Sequence, residues 1–259
     1  MRIALIGYGK MGHLIHEIAQ ERGHEIVCII DPKQTLSPTL SLIGQGREIG
    51  EKLSEADVAI EFTTPTTAAD NIRQAWAQGV PVVSGTTGWS LEELKEDALW
   101  ASLKLKGASA HSDKASDDAG RPKENGIRLV DDKGKVWLIW KSNFSVGVNV
   151  FFELNKMLAQ ALAQYAQYTP SITETHHIHK LDKPSGTAVT LREGIRPYLN
   201  PSLKGQDLQV PIESIREGEV AGIHTVTWDS EEDTITITHS AKSRRGFALG
   251  AVLAAEQLL

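Results

Sequence analysis

The chain has 259 residues, 41% hydrophobic and 23% charged, with a formal net charge of -6 and a sequence pI of about 5.9. That length suits one large domain or two small ones with a buried core, and the acidic balance excludes a general nucleic-acid binder, which needs a basic face. No apolar run approaches the roughly 18 residues of a membrane span; Cys28 has no second cysteine to pair with, and without an export signal the expected compartment is the cytoplasm.

"RIALIG" is an apolar run ending in glycine, the pattern of a buried parallel strand. "KMGHLIHEIAQERG" follows with Met11, Ile15, Ile18 and Ala19 at helical spacing and Gly23 as its stop. "EIVCIID", "DVAIEFTTP" and "VPVVSGTTG" read as further strands. "TTAADNIRQAWAQG" between the last two reads as a helix closed by Gly79, and "SLEE" from Ser90 as a capping box that opens another. Such alternation predicts an α/β, Rossmann-type doubly wound parallel sheet. Gly107 to Asn125 is small and polar, which predicts an exposed, mobile loop. Two extended runs around "DDKG" then predict a β-hairpin.

The second half predicts a long helix over "VGVNVFFELNKMLAQALAQYAQ", a strand at "SITETHH" and a helix at "PSGTAVTLREGIRPYL". The runs "PIESIREGEV", "AGIHTVTW" and "DTITITHSA" alternate with period two, as antiparallel strands do. "FALGAVLAAEQLL" is a closing helix. The expected plan is a dinucleotide-binding domain over 1–141, carrying an insertion at about 102–135. An α+β domain with a mostly antiparallel sheet follows over 142–240, and the helix over 241–259 packs back on the first domain.

"GYGKMG" places Gly7, Gly9 and Gly12 between strand and helix in the G-x-G-x-x-G spacing. The first glycine permits the turn, the second lets backbone approach a pyrophosphate, and the third lets helix and strand pack closely. Asp31, at the end of the second strand, stands where a carboxylate meets an adenosine ribose. Asp31 favours NADH, whereas Lys33 suits the 2′-phosphate of NADPH, so either cofactor is expected. Lys10 is a second candidate for phosphate. The expected cofactor-binding set is Gly7, Tyr8, Gly9, Lys10, Met11, Gly12, Asp31 and Lys33, with Phe62 and Thr63 after strand three, and Gly85, Thr86 and Thr87 after strand four.

"ETHHIHKLDKPSGTA", Glu174 to Ala188, gathers three histidines and two lysines beside a Pro-Ser-Gly turn. Three readings compete: a metal site, a proton-transfer site and a polar surface loop. Adjacent His176 and His177 point to opposite faces of a strand, and no H-E-x-x-H pattern accompanies them, so no metal site is expected. For proton transfer, His176 is the acid and Lys180 the cation. Ser185 is a helix N-cap, and Gly186 and Thr187 are first-turn amides able to bind a carboxylate.

The chain resembles the 4-hydroxy-tetrahydrodipicolinate (dihydrodipicolinate) reductase family in "GYGKMG", "EFTTPTT", "GTTG", "SNFSVGVN", "ETHHIHKLDKPSGTA", "IREGEVAGIHTV" and "HSAKSRRGFALGAVLAAE". The resemblance implies NAD(P)H-dependent reduction to tetrahydrodipicolinate with loss of water, in diaminopimelate and lysine biosynthesis. It implies His176 as acid with Lys180 as partner, and a small dicarboxylate touched by His177, Ser185, Gly186 and Thr187. It places Ser142, Asn143, Phe144 and Ser145 beside the nicotinamide, and implies a homotetramer with neither nucleic-acid nor membrane partners. Lys183 stands where the family usually has alanine, and the chain ends sooner after its last helix than relatives often do. Two other classes fit the same plan: a nicotinamide oxidoreductase for a sugar or aldehyde, and a non-catalytic dinucleotide sensor. The sensor predicts loss of His176 or Lys180, and both are present.

Overall fold

The computed structural model describes residues 1–31, 52–95, 98–109, 126–199 and 210–258. They form two units, 1–145 with 247–259 and 146–246. The boundary follows Ser145 rather than Lys141, because the Phe144 ring is buried in the core of the first unit.

The first unit holds β1 (Arg2–Ile6), α1 (Lys10–Glu21), β2 (Glu25–Ile30), β3 (Val58–Glu61), α2 (Pro65–Ala77), β4 (Val82–Ser84), α3 (Glu92–Lys95), α4 (Ala98–Ser102), β5 (Lys106–Ser109), β6 (Gly126–Val130) and β7 (Val136–Lys141). Its sheet runs β2-β1-β3-β4-β7-β6-β5, parallel through β7 and antiparallel beyond. Successive residues point to opposite faces, and both faces are covered, so the strands read as unbroken apolar runs. Ala4, Ile6 and Ala59 pack with Trp76 of α2, while Ile3, Leu5 and Ile60 pack with Ile15 and Ile18 of α1. Burying each such large side chain stabilises by about 1.5–3 kcal/mol. Gly23 (φ 78°) and Gly79 (φ 77°) follow the ends of α1 and α2, in the left-handed conformation that suits glycine. At the expected capping box, the Ser90 N–H donates to Glu93 Oε1 at 3.4 Å, while Ser90 Oγ accepts from the Glu92 N–H at 3.2 Å, one residue short of the reciprocal partner.

The β6–β7 hairpin turns as expected at the "DDKG" run. Asp131 Oδ1 accepts from the N–H groups of Lys133 and Lys135 at 2.9 Å each, and Gly134 takes φ 86°. The run expected to be loop from Gly107 is strand as far as Ser109, because pairing with β6 uses backbone groups and asks nothing of small side chains. The remainder of that run, 110–125, lies outside the described residues, as does Lys33.

The second unit holds α5 (Val146–Leu162), β8 (Thr169–His176), α6 (Gly186–Ile195), β9 (Ile212–Arg216), β10 (Ile223–Asp229) and β11 (Thr234–Ser240). Its sheet runs β11-β10-β8-β9. β9 pairs with β8 in parallel, not antiparallel as its alternation suggested, because the intervening chain includes helix α6 and makes a crossover. Phe151, Phe152, Ile172, Leu191, Ile195, Val226 and Trp228 make its core. The closing helix α7 (Arg245–Glu256) contributes Ala248, Ala251, Val252 and Ala255 to the first unit's core, and Glu256 binds Arg22 there through two bonds of 2.7 and 2.8 Å.

Candidate active site

On β8 the buried residues are Pro170, Ile172, Glu174 and His176, alternating with half-exposed neighbours. This inward face is apolar at Ile172 and polar at its last two positions. Strand register supplies partners for the polar end: His224 of β10 lies opposite Glu174, and Arg216 of β9 opposite His176.

The Glu174 carboxylate is fully buried. Its Oε1 accepts from the Ser185 N–H at 3.1 Å and from the Arg216 guanidinium at 3.0 Å. Its Oε2 lies 2.8 Å from His176 Nδ1, an ion-pair distance off the line of a hydrogen bond, and 3.9 Å from His224 Nε2. Burial by itself would push the Glu174 carboxyl up. Hydrogen bonds from Ser185, Ser214 and Arg216 outweigh burial and hold it at about 2. Burial lowers His176 by disfavouring its cation; Glu174 opposes that, while Lys180 and Arg216 add to it. His224 is pushed down to about 3, by burial first and then by His176. At neutral pH the group therefore contains one carboxylate, one guanidinium and a neutral His224.

The ligand atoms of Glu174, His176 and His224 lie within 4.8 Å of one another, compact enough for a metal ion. Arg216 already neutralises Glu174, so a divalent cation would add uncompensated positive charge to a buried place. The arrangement favours proton handling.

Ser185 caps α6, its Oγ accepting from the Ala188 N–H at 3.2 Å and lying 3.2 Å from His224 Nε2. Arg216 fastens the preceding loop to β9, donating to the carbonyls of Lys180 at 3.3 Å and Asp182 at 2.6 Å. Lys180 Nζ lies 2.8 Å from Asp182 Oδ1. Burial raises the Asp182 carboxyl, but hydrogen bonds from Lys180 and the Gly186 N–H help bring it below its ordinary value. Two groups expected to grip a substrate carboxylate thus already hold one belonging to the chain.

In the first unit Gly7 takes φ 92°, and a Cβ there would overlap the Phe62 carbonyl. A Cβ on Gly12 would overlap the Gly7 carbonyl, whereas among the described residues Gly9 has nothing within 4 Å of its Cβ position. Gly9 is the N-cap of α1 and offers no side-chain cap, which leaves room for an anion at the helix start. The Tyr8 N–H donates to Asp31 Oδ2 at 2.7 Å, tying the glycine loop to the end of β2. Glu61, fully buried, accepts from Ser84 Oγ at 2.6 Å, Thr86 Oγ1 at 2.8 Å and Thr63 N at 2.9 Å, and so joins the loops after β3 and β4. These residues fit a dinucleotide.

Residues 1–103 match the family described as dihydrodipicolinate reductase, N-terminus, and residues 147–259 match its C-terminus counterpart. The whole chain is 41% identical to a 4-hydroxy-tetrahydrodipicolinate reductase of Christiangramia forsetii, of which it covers 92%. The chain belongs to the dihydrodipicolinate reductase family. Another reductase of that name, from Archaeoglobus fulgidus, is 33% identical over 99% of the chain and 93% of that protein. The fold also matches a dipicolinate-bound dihydrodipicolinate reductase from Paenisporosarcina sp. TG-14, with TM-score 0.68 and 22% identity over 100% of this chain and 94% of that one. Membership makes the chain an oxidoreductase with a nucleotide-binding N-terminal domain.

Against the reductase pattern, the structure brings His176 and Ser185 into one group and leaves His177 outside it. His177 Nε2 lies 3.4 Å from Arg244 Nη2 instead. Tyr8 turns its hydroxyl to His16 Nδ1 at 2.7 Å, Phe144 is core, and the Thr86 carbonyl accepts the Trp89 and Trp140 indoles at 2.8 and 2.7 Å. Gly9, Lys10 and Thr87 are exposed. Sequence reasoning missed Glu174, Asp182, Arg216 and His224 as members of the site. Glu174 and Asp182 carried a local signal, each spaced two from a predicted site residue, His176 and Lys180; Arg216 and His224 arrive through strand pairing.

Proposed function

We propose that the chain reduces 4-hydroxy-tetrahydrodipicolinate to tetrahydrodipicolinate with loss of water, accepting NADH or NADPH, in the cytoplasm. The observation that carries this reading is the buried Glu174–His176–Arg216 group beside the capped start of α6, within a chain of this family. When bound at the glycine loop, the cofactor supplies a hydride. Gly7, Gly9 and Gly12 would admit its pyrophosphate and Asp31 its ribose; Thr63 and Thr87 stand on loops beside the strand ends that such folds use for ligands.

Hydride addition to a double bond leaves negative charge on the substrate, and the chain must quench it. His176 gives the proton. Lys180 holds a substrate carboxylate and stabilises the developing charge, and the amides of Gly186 and Thr187 complete the grip. Substrate takes over the contacts that Asp182 makes with Lys180 and Gly186 in its absence. General acid catalysis is typically worth about 10²–10⁴-fold, so His176→Ala lowers kcat by that order and changes KM less.

The active form is a homotetramer. Val146, Val150, Leu154 and Met157 form an exposed apolar stripe along α5, at the spacing of one helix face. A second copy of the chain covering that stripe would remove it from water.

The test follows NADH and NADPH oxidation while the substrate is generated in situ by its synthase. Turnover with either cofactor supports the reading. No turnover, together with turnover of a sugar or an aldehyde, would refute it.

A further inference from the structure

We propose that Glu174 is the positioning residue of the reaction: it holds the Nδ1 side of the His176 imidazole, so that Nε2 is the atom that delivers the proton. The inference rests on the reading of His176 as the acid.

Three observations carry it. Glu174 is immobilised, its backbone in the middle strand pair and its Oε1 held by the Ser185 N–H and the Arg216 guanidinium. Among the described residues its other oxygen has no hydrogen-bond partner, and it lies 2.8 Å from His176 Nδ1. A fully buried carboxylate oxygen without a donor is costly, and a proton on Nδ1 is the available remedy after a small rotation of the ring. The opposite edge of the ring is kept clear, because a Cβ at position 222 would stand 3.1 Å from His176 Nε2 and that position is glycine, with φ 147°.

The charged and titratable groups around the ring are Glu174 on its own strand, Lys180 and Asp182 on the loop after it, Arg216 on β9 and His224 on β10. Glu174 carries the negative charge nearest Nδ1, while Arg216 reaches the far oxygen of the same carboxylate. His224, whose ring centroid is 4.9 Å from that of His176, stays neutral and adds no competing cation. The design resembles the carboxylate–imidazole pairs in which an acid orients a histidine and favours its protonated form without itself taking the proton.

The sign of the pH effect follows. Proton delivery needs protonated His176, so kcat is high below its pKa and falls as pH rises through it. The Glu174 charge favours the protonated form, so Glu174→Gln moves that fall to lower pH. The variant keeps shape and an acceptor for the Ser185 N–H.

The experiment compares the full-length wild type, Glu174→Gln, Glu174→Asp, His176→Ala and the double variant Glu174→Gln/His176→Ala, with NADH binding as the check on folding. Glu174→Gln should lower kcat at neutral pH by about 10–10²-fold, part of what a general acid contributes, with KM changed by less than about threefold. Its alkaline limb should move to lower pH, and Glu174→Asp, which keeps the charge, should restore the limb. In the His176→Ala background the Glu174→Gln change should cost under about threefold, since residues acting through one another are not additive. An unmoved limb, or an equal cost in both backgrounds, overturns the inference. Near-normal kcat in His176→Ala alone would instead remove His176 as the acid; an unshifted NMR titration of the His176 ring in Glu174→Gln would refute the contact itself. Should Glu174→Gln fail to bind NADH, Arg216→Lys loosens the same anchor and should lower kcat with the limb kept.

Discussion

Replacing His224 by glutamine should make the second unit less sensitive to acid, by an amount that the structure sets. His224 is nearly inaccessible, in contact with Ser185 and beside His176, and its pKa in the fold is pushed from 6.5 down to about 3. Between those values the unfolded chain takes up a proton that the folded chain refuses. Folding stability therefore stays level above pH 6.5 and falls as the pH drops towards about 3. Each unit corresponds to ~1.36 kcal/mol, so at about pH 5 this one histidine has removed about 2 kcal/mol. Glutamine does not titrate and still reaches the Ser185 hydroxyl. Its cost in packing is common to both pH values and cancels in the difference. Glu174, ionised in the fold down to about 2, stabilises fully above 4.5 and loses its contribution only below that, so it does not enter the comparison at about pH 5. Urea unfolding followed by circular dichroism at about pH 7.5 and about pH 5 gives the four free energies. The wild type should lose about 2 kcal/mol more than His224→Gln between the two conditions. Equal losses would mean that His224 titrates normally in the fold, and the assignment of a neutral ring beside His176 would be wrong.

Asp182→Asn removes the internal carboxylate held by Lys180 and Gly186; KM for the dicarboxylate should fall several-fold with kcat nearly kept, and a fall in kcat instead would make Asp182 a support for Lys180. Asp31→Ala should shift preference towards NADPH in steady-state kinetics, while weakening both cofactors somewhat because the Tyr8 N–H loses its acceptor; an unchanged ratio would place Asp31 away from the ribose. Met157→Asp puts a charge in the exposed stripe of α5, and sedimentation velocity should then report smaller species than the proposed tetramer; an unaltered assembly would clear that face of the role.

The first unit is the part most legible in the sequence, because its signals are local. A buried parallel strand must be apolar on both faces, a helix must stop at a residue that tolerates positive φ, and a dinucleotide loop needs glycine where backbone crowds backbone. Each requirement leaves its mark within a few residues, at Ile3–Ile6, at Gly23 and Gly79, and at Gly7 and Gly12. The Ser185 cap and the Asp131–Gly134 turn were readable for the same reason. The second unit's chemistry was legible only in outline. His176 and Lys180 stood out as residue types in one run, but a run of residues does not say which partners a side chain will meet. Glu174 becomes the anchor of the site because β9 and β10 flank β8 in one particular register, carrying Arg216 from 42 residues away and setting His224 opposite the carboxylate. The expectation that β9 would be antiparallel failed likewise, since alternation records which face is buried and not the direction of the neighbour. Burial then decides the protonation states: the same imidazole titrates near neutrality in an unfolded chain and at about 3 inside this one, because the fold removes the water that would have stabilised its cation.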